Sequence, residues 1–242
     1  MTVKALIFDF DGLLMDTETT LLESWRWEWR RHGLELDPAG FFADHGGDAN
    51  EPRYAALAAA VGPAYDRDVS HALRMAHRAE LNAALEPAPG VVGWLDRAAE
   101  RGLRLAVASS SPLTHVGAML DQAGLRERFE VLATGEEVAA HKPDPAVYLL
   151  ALERLGLPAE EAVAFEDTAH GVAAAHAAGL RCVAVPNPYA DGSRFTAADL
   201  LLPSAADLPL DAVLARLAGP AEHGRRVPPS RLTPPAPTRT RR

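Results

Sequence analysis

The stretch LIFDFDGLLMDTE, residues 6–18, sets an apolar run against three acids: Leu6, Ile7 and Phe8 lead into Asp9, Asp11 and Asp16. An apolar run of this length reads as a strand buried on both faces, the kind found in parallel sheets. Two carboxylates straight after such a run are poor candidates for mere turn chemistry. In an open α/β sheet the ligand crevice lies beyond the carboxyl ends of the strands, which is where Asp9 and Asp11 fall.

Working outward, six apolar runs read as parallel strands: residues 3–8, 103–109, 131–134, 162–165, 181–185 and 200–202. From the second onward they alternate with helical segments. Pro112 stands where a helix starts and Gly124 just past its end. Asp144 and Pro145 read as the N-cap and first position of a helix closed near Gly156, and TAHGVAAAHAAGL as another closed at Gly179. This βαβ rhythm predicts a doubly wound, mostly parallel α/β sheet.

The first connection breaks the rhythm. About ninety residues separate the first two strands, where a crossover needs only ~10–12 or slightly more. The excess reads as helical: Thr20 and Glu23 as a capping box, Trp25 and Trp29 at helical spacing, a stop at Gly33, then AALAAAVG and a long segment over 66–85. The organisation expected is an α/β core over 1–15 and 87–218 with a helical cap inserted over 16–86. The tryptophans read as the core of that cap.

Composition narrows the partners. The 242 residues carry a net charge of -9 and are 48% hydrophobic, with a mean hydropathy of -0.07. No apolar run approaches the ~20 residues of a membrane span, and the acidic balance speaks against nucleic acid and anionic membrane. The N-terminus shows no signal-peptide pattern. A single cysteine, Cys182, excludes an internal disulfide and fits a reducing cytoplasm. A monomer is expected. Residues 219–242 hold six arginines, one glutamate and many prolines, and read as a disordered basic tail.

The strand ends carry the chemistry. Asp9 and Asp11 follow the first strand, Ser109, Ser110 and Ser111 the second, Glu166 and Asp167 the fourth, and Lys142 sits in HKPDP between the third and fourth. Four carboxylates in one crevice repel one another, and a divalent cation relieves that; oxygen ligands suit Mg²⁺. The serines precede a helix whose free N–H groups attract an anion, or they cap that helix. Lys142 adds a compact positive charge or is a solvated loop lysine. Acids, Mg²⁺ and an anion site together describe phosphoryl transfer.

The motifs DFDGLLMDT, VASSS, the KP of HKPDP and FEDTAHGV resemble, in order, the four signatures of the haloacid dehalogenase superfamily, in its phosphatase and β-phosphoglucomutase-like branch. The resemblance covers residues 3–205. It implies Asp9 as a nucleophile that becomes an aspartyl-phosphate and Asp11 as the acid and base. It implies Mg²⁺ held by the Asp9 side chain, the Asp11 backbone carbonyl and Asp167, with Glu166 close or bridging through water. Ser109, with Ser110 beside it, and Lys142 match the phosphate-binding positions. Asp16 and Thr17 match the pair that leads into the cap and orients the acid. Two positions depart from the pattern: His141 where glycine is usual, and Thr168 where serine is commoner. The remaining histidines read as surface or cap residues, and Gly171 as a helix–sheet packing position.

A receiver-type signalling domain shares the acids and the lysine but is shorter and lacks the insertion. A true dehalogenase lacks an acid matching Asp11. The function expected is a Mg²⁺-dependent phosphatase acting on a small phosphorylated metabolite, a sugar or polyol phosphate, with a sugar-phosphate mutase as the alternative. Mutases of this branch carry a cap-loop arginine that grips a second phosphate; here Ala49 stands near that place and Arg53 about one turn later.

Overall fold

A computed structural model describes residues 2–39, 41–42 and 50–218. Six strands form one parallel sheet: β1 (Ala5–Phe8), β2 (Arg104–Ala108), β3 (Val131–Ala133), β4 (Ala162–Glu166), β5 (Arg181–Ala184) and β6 (Leu200–Leu201), in the order β3-β2-β1-β4-β5-β6. The chain steps outward from β1 to β3, then returns to the other side of β1 for β4. That reversal leaves β1 flanked by β2 and β4, with Phe8 level with Val107 and Phe165.

Alternation along the strands divides the core. Leu6, Phe8, Leu105, Val107, Val163 and Phe165 pack on one face against α4 (Val91–Glu100), α5 (Leu113–Gln122) and α8 (Leu210–Ala218). Ala5, Ile7, Ala106, Ala108 and Ala164 face α6 (Ala146–Leu155) and α7 (Ala169–Ala177). Bulky residues fill the first layer and small ones let helices approach in the second, as expected for a sheet buried on both sides.

Between β1 and α4 run α1 (Thr17–Arg31), α2 (Asn50–Val61) and α3 (Arg67–Ala83), with α1 packed along α3. Trp25 is fully buried against Tyr54, ring centroids 4.6 Å apart, while Trp29 is half-buried. The start of α1 corrects the sequence reading. Asp16 is the N-cap, its carboxylate accepting from the Thr19 amide at 3.1 Å, and Thr20 lies inside the helix. Thr20 donates to the Thr17 carbonyl and to Asn82 of α3, so its hydroxyl ties two helices together rather than capping one. A second, smaller shift places Pro145 at the N-cap of α6, with Asp144 accepting from the Ala146 amide. Among the described residues no helix is long and apolar enough to cross a membrane. Ala49 and the tail over 219–242 lie outside the described residues.

Candidate active site

Parallel strands ending at one level place their C-terminal residues side by side. Asp9 follows β1, Ser109 follows β2, and Glu166 closes β4 with Asp167 after it. Lys142 arrives from the loop before α6. Asp9, Asp11, Ser109, Ser110, Lys142 and Asp167 line one cavity of about 480 Å³; Glu166 is wholly buried behind them. All seven residues expected from the sequence are therefore brought to one edge of the sheet.

Lys142 is the hub. Its ammonium donates to Asp9 Oδ1 and Glu166 Oε1, both at 2.5 Å, and to the Ala108 carbonyl at 2.9 Å. Burial alone would depress its pKa, but Asp9 and Glu166 outweigh this and raise it. The Tyr148 hydroxyl also donates to Glu166 Oε1, at 2.5 Å, and Asn187 donates to Asp167 Oδ2 at 2.8 Å. The cluster remains too negative for its surroundings. Burial, with Glu166 and Asp11 adding to it against Lys142, pushes Asp9 up to about 8. Burial beside Asp9 and Glu166 carries Asp167 well above the usual carboxylate range.

Asp9, Glu166 and Asp167 each offer an oxygen, all within 4.8 Å of one another. Three buried hard oxygen donors facing a single lysine fit a small divalent cation such as Mg²⁺, which would neutralise the surplus of negative charge. Two glycines make room for these carboxylates. At Gly12, with φ +79°, a Cβ would lie 2.1 Å from Asp167 Oδ2; at Gly171 it would lie 1.9 Å from the Glu166 carboxyl carbon. Gly171 thus clears space for a site carboxylate, a more specific task than helix–sheet packing.

Asp11 has different company. Its Oδ1 accepts from the Thr17 hydroxyl at 2.8 Å and from His115 Nε2 at 3.0 Å, and its Oδ2 accepts from the Ser111 hydroxyl at 2.6 Å. Burial would raise its pKa, but His115, Ser111 and Thr17 together hold it down at about 2. The same Thr17 hydroxyl accepts from the Gly12 amide, so the start of α1 is stitched to the acid's own turn.

The serines do not cap α5. Its N-cap is Pro112, without a side-chain cap hydrogen bond, and Ser109 Oγ instead accepts from the Ser111 amide. That turn leaves buried Ser109 and exposed Ser110 on the cavity wall.

Several residues escaped the sequence reading. His115 is a site-facing group rather than a surface or cap histidine. His170 lines the cavity, as do Glu18 from α1 and Arg78 from α3, together with His141, which the sequence marks as a departure beside Lys142. Burial, with Asp11 next, pushes Glu18 up to about 7. Arg78 has its Nε buried without a hydrogen-bond partner. His115, His170, Glu18 and Arg78 sit inside helices, where each reads as an ordinary polar residue and only packing aims it at Asp11 or the cavity. Arg53 lies on α2 and donates to the Phe41 carbonyl at 2.7 Å, its guanidinium stacked 3.9 Å over the Phe41 ring.

Comparison with known proteins agrees with this geometry. A family model described as haloacid dehalogenase-like hydrolase matches residues 3–179. The Escherichia coli fructose-1-phosphate phosphatase YqaB is 34% identical over 188 residues, 74% of this chain and 95% of that protein. The crystal structure of a candidate β-phosphoglucomutase from Thermotoga maritima aligns with TM-score 0.78 at 28% identity, covering 88% of this chain and 99% of the other. A CbbY variant from Rhodobacter sphaeroides, solved with xylulose-1,5-bisphosphate, aligns with TM-score 0.70 at 32% identity over 86% and 96% of the two chains.

Proposed function

Because the chain belongs to the haloacid dehalogenase-like hydrolase family, we propose that it hydrolyses the phosphate ester of a small sugar or polyol, through an aspartyl-phosphate formed on Asp9. The observation that carries this reading is Asp9 itself. It is a buried carboxylate at the end of β1 that shares Lys142 with Glu166 and lies in one cavity with Asp11 and the Ser109 turn.

These groups define the chemistry. An Asp9 oxygen attacks phosphorus, the bond from phosphorus to the ester oxygen breaks, and Asp11 gives its proton to that leaving oxygen. In the second half, Asp11 takes a proton from a water that attacks the same phosphorus, and the Asp9–phosphorus bond breaks to return a free carboxylate. Three donors around Asp11 favour its anion, the form it has after the first half and needs for the second, so the proton it gives in the first half is one it takes up as the substrate binds. Lys142 and the hydroxyl of Ser109 balance and orient the transferring group. A Mg²⁺ held by Asp9 and Asp167, with Glu166 behind, would keep Asp9 ionised and offset the charge of the phosphoryl oxygens.

The helices over 16–86 act as a cap in this reading, presenting Glu18 and Arg78 to the cavity. Glu18 suits a sugar hydroxyl, and Arg78, whose Nε has no hydrogen-bond partner, suits a further hydroxyl or a second anion. What the YqaB and CbbY names and ligands say of those proteins supports the same substrate class. A monomer in a reducing cytoplasm fits the single buried thiol of Cys182.

The deciding experiment assays a panel of phosphomonoesters for released phosphate, beside β-glucose 1-phosphate assayed for glucose 6-phosphate. Phosphate release from several small esters without isomerisation is expected. Efficient conversion of the 1-phosphate to the 6-phosphate, with little free phosphate, would establish a mutase instead.

A further inference from the structure

We propose that His115 is a positioning residue for the acid–base carboxylate Asp11, holding it in register for proton transfer to the leaving oxygen. The inference rests on the assignment of Asp11 as acid and base given above. A half-buried histidine on a helix is ordinarily a solvated side chain, and three observations set this one apart.

The first is the contact. His115 Nε2 lies 3.0 Å from Asp11 Oδ1, and since a carboxylate only accepts, the proton in that bond belongs to the imidazole. The second is how the ring is fixed. His115 is the third residue of α5, and its ring stands edge-on to that of Phe10, centroids 5.8 Å apart and planes at 89°. Phe10 is fully buried and separates Asp9 from Asp11, so the imidazole is referenced to the backbone that carries both carboxylates. The third is the arrangement of the other donors. Thr17 reaches Asp11 from the start of α1 and Ser111 from the turn after β2. His115 shares Oδ1 with Thr17 but comes from the core, so it still holds that oxygen if α1 moves with the cap. Without it, Oδ1 depends on one hydroxyl at the edge of the insertion.

The role has a chemical signature. Protonation of the leaving oxygen matters for an alkyl ester, whose alkoxide is a poor leaving group, and little for p-nitrophenyl phosphate, whose phenolate departs unaided. The ratio kcat/KM reports the steps up to formation of the aspartyl-phosphate, before Asp11 acts as base. A loosened acid therefore lowers kcat/KM for alkyl esters selectively.

The test compares wild type, His115→Ala, His115→Gln and Asp11→Asn on p-nitrophenyl phosphate and on the best alkyl phosphate of the panel above. His115→Ala should lower kcat/KM for the alkyl ester about tenfold, short of the ~10²–10⁴-fold expected on losing the acid itself. For the aryl ester it should change less than about twofold. His115→Gln, whose amide nitrogen can take the place of Nε2, should restore most of the alkyl activity. Equal losses on both esters would reduce His115 to a structural residue and overturn the proposal, as would no loss on either. If Asp11→Asn itself fails to discriminate between the esters, the assignment of Asp11 is what falls.

Discussion

Lys142 and Arg74 are both buried cations, and they live in opposite surroundings. Lys142 faces Asp9 and Glu166 directly, with Asp167 beside them, so acids outnumber the base. Arg74, inside the helical insertion, has no carboxylate within ion-pairing distance among the described residues. Its guanidinium donates to the Tyr54 hydroxyl at 2.8 Å and to Ser24 at 3.2 Å, and sits 4.3 Å from the centre of the Trp25 ring. The nearby acid Glu28 is satisfied separately by Arg31 and Ser70. One cluster is closed by its own neighbours. The other is left with a surplus of one sign that protons or a bound cation must balance, which marks a site rather than a scaffold.

The comparison can be broken by experiment. The largest effect should come from Asp9→Asn, which keeps the shape but removes the attacking oxygen; turnover should fall by at least about 10⁴-fold with an unchanged circular dichroism spectrum. Wild-type-like turnover in this variant would end the proposed mechanism. Next, excess chelator should abolish activity and Mg²⁺ restore it, while Asp167→Asn should raise the Mg²⁺ requirement by roughly 10–100-fold. In chelator the same variant should melt higher than wild type near neutral pH, because it replaces a carboxyl that burial beside Asp9 and Glu166 forces to take up a proton on folding. A lower melting point would show that the acidic cluster stabilises the fold by itself.

Arg74→Met should act the other way. Losing the buried hydrogen bonds and the contact with Trp25 should cost about 2–3 kcal/mol and lower Tm by roughly 4–12 °C. Turnover below the transition should change little. If this variant instead gains stability and loses activity, Arg74 belongs with Lys142 as a charge held for function.

The smallest effect concerns the surface pair Glu137 and Arg154, joined at 2.6 Å. Arg154, with Thr134 adding its own hydrogen bonds against partial burial, holds Glu137 at about 2, below its ordinary 4.5. A depressed acid contributes stability above its unfolded pKa and loses it as pH falls. The pair should therefore help fully above about pH 4.5 and fade toward pH 2, by no more than about 1 kcal/mol given solvent screening. Melting wild type against Glu137→Gln at pH 6 and pH 3 measures it: the difference at pH 6 should shrink at pH 3.

Much of this was legible in the chain because parallel strands and their ends are written locally. Leu6 to Phe8 announce a buried strand and Asp9 marks its polar end, so sheet, crevice and acids could be read together. The start of α1 was misread for an instructive reason. Thr20 and Glu23 satisfy the local capping pattern, but Asp16 takes that task one turn earlier, and a partner 62 residues away, Asn82, claims the Thr20 hydroxyl. His115 and Arg78 were missed for the same kind of reason. Each looks like an ordinary polar residue on its own helix, and only tertiary packing aims it at Asp11 or the cavity.

The two stems of the insertion lie against each other. Met15 bridges Pro87 in antiparallel sense, and the Ala88 amide donates to the Leu14 carbonyl at 2.8 Å. The described residues between those positions form α1, α2, α3 and their connections, and the two stems that join them to the sheet run side by side. For an engineer this is a socket. Helices of a related chain that keep the Asp16–Thr17 start, whose Thr17 hydroxyl holds Asp11, should plug in at the same pair of residues without disturbing the register of β1 against β2 and β4. Ester preference can then be exchanged while the catalytic edge stays in place.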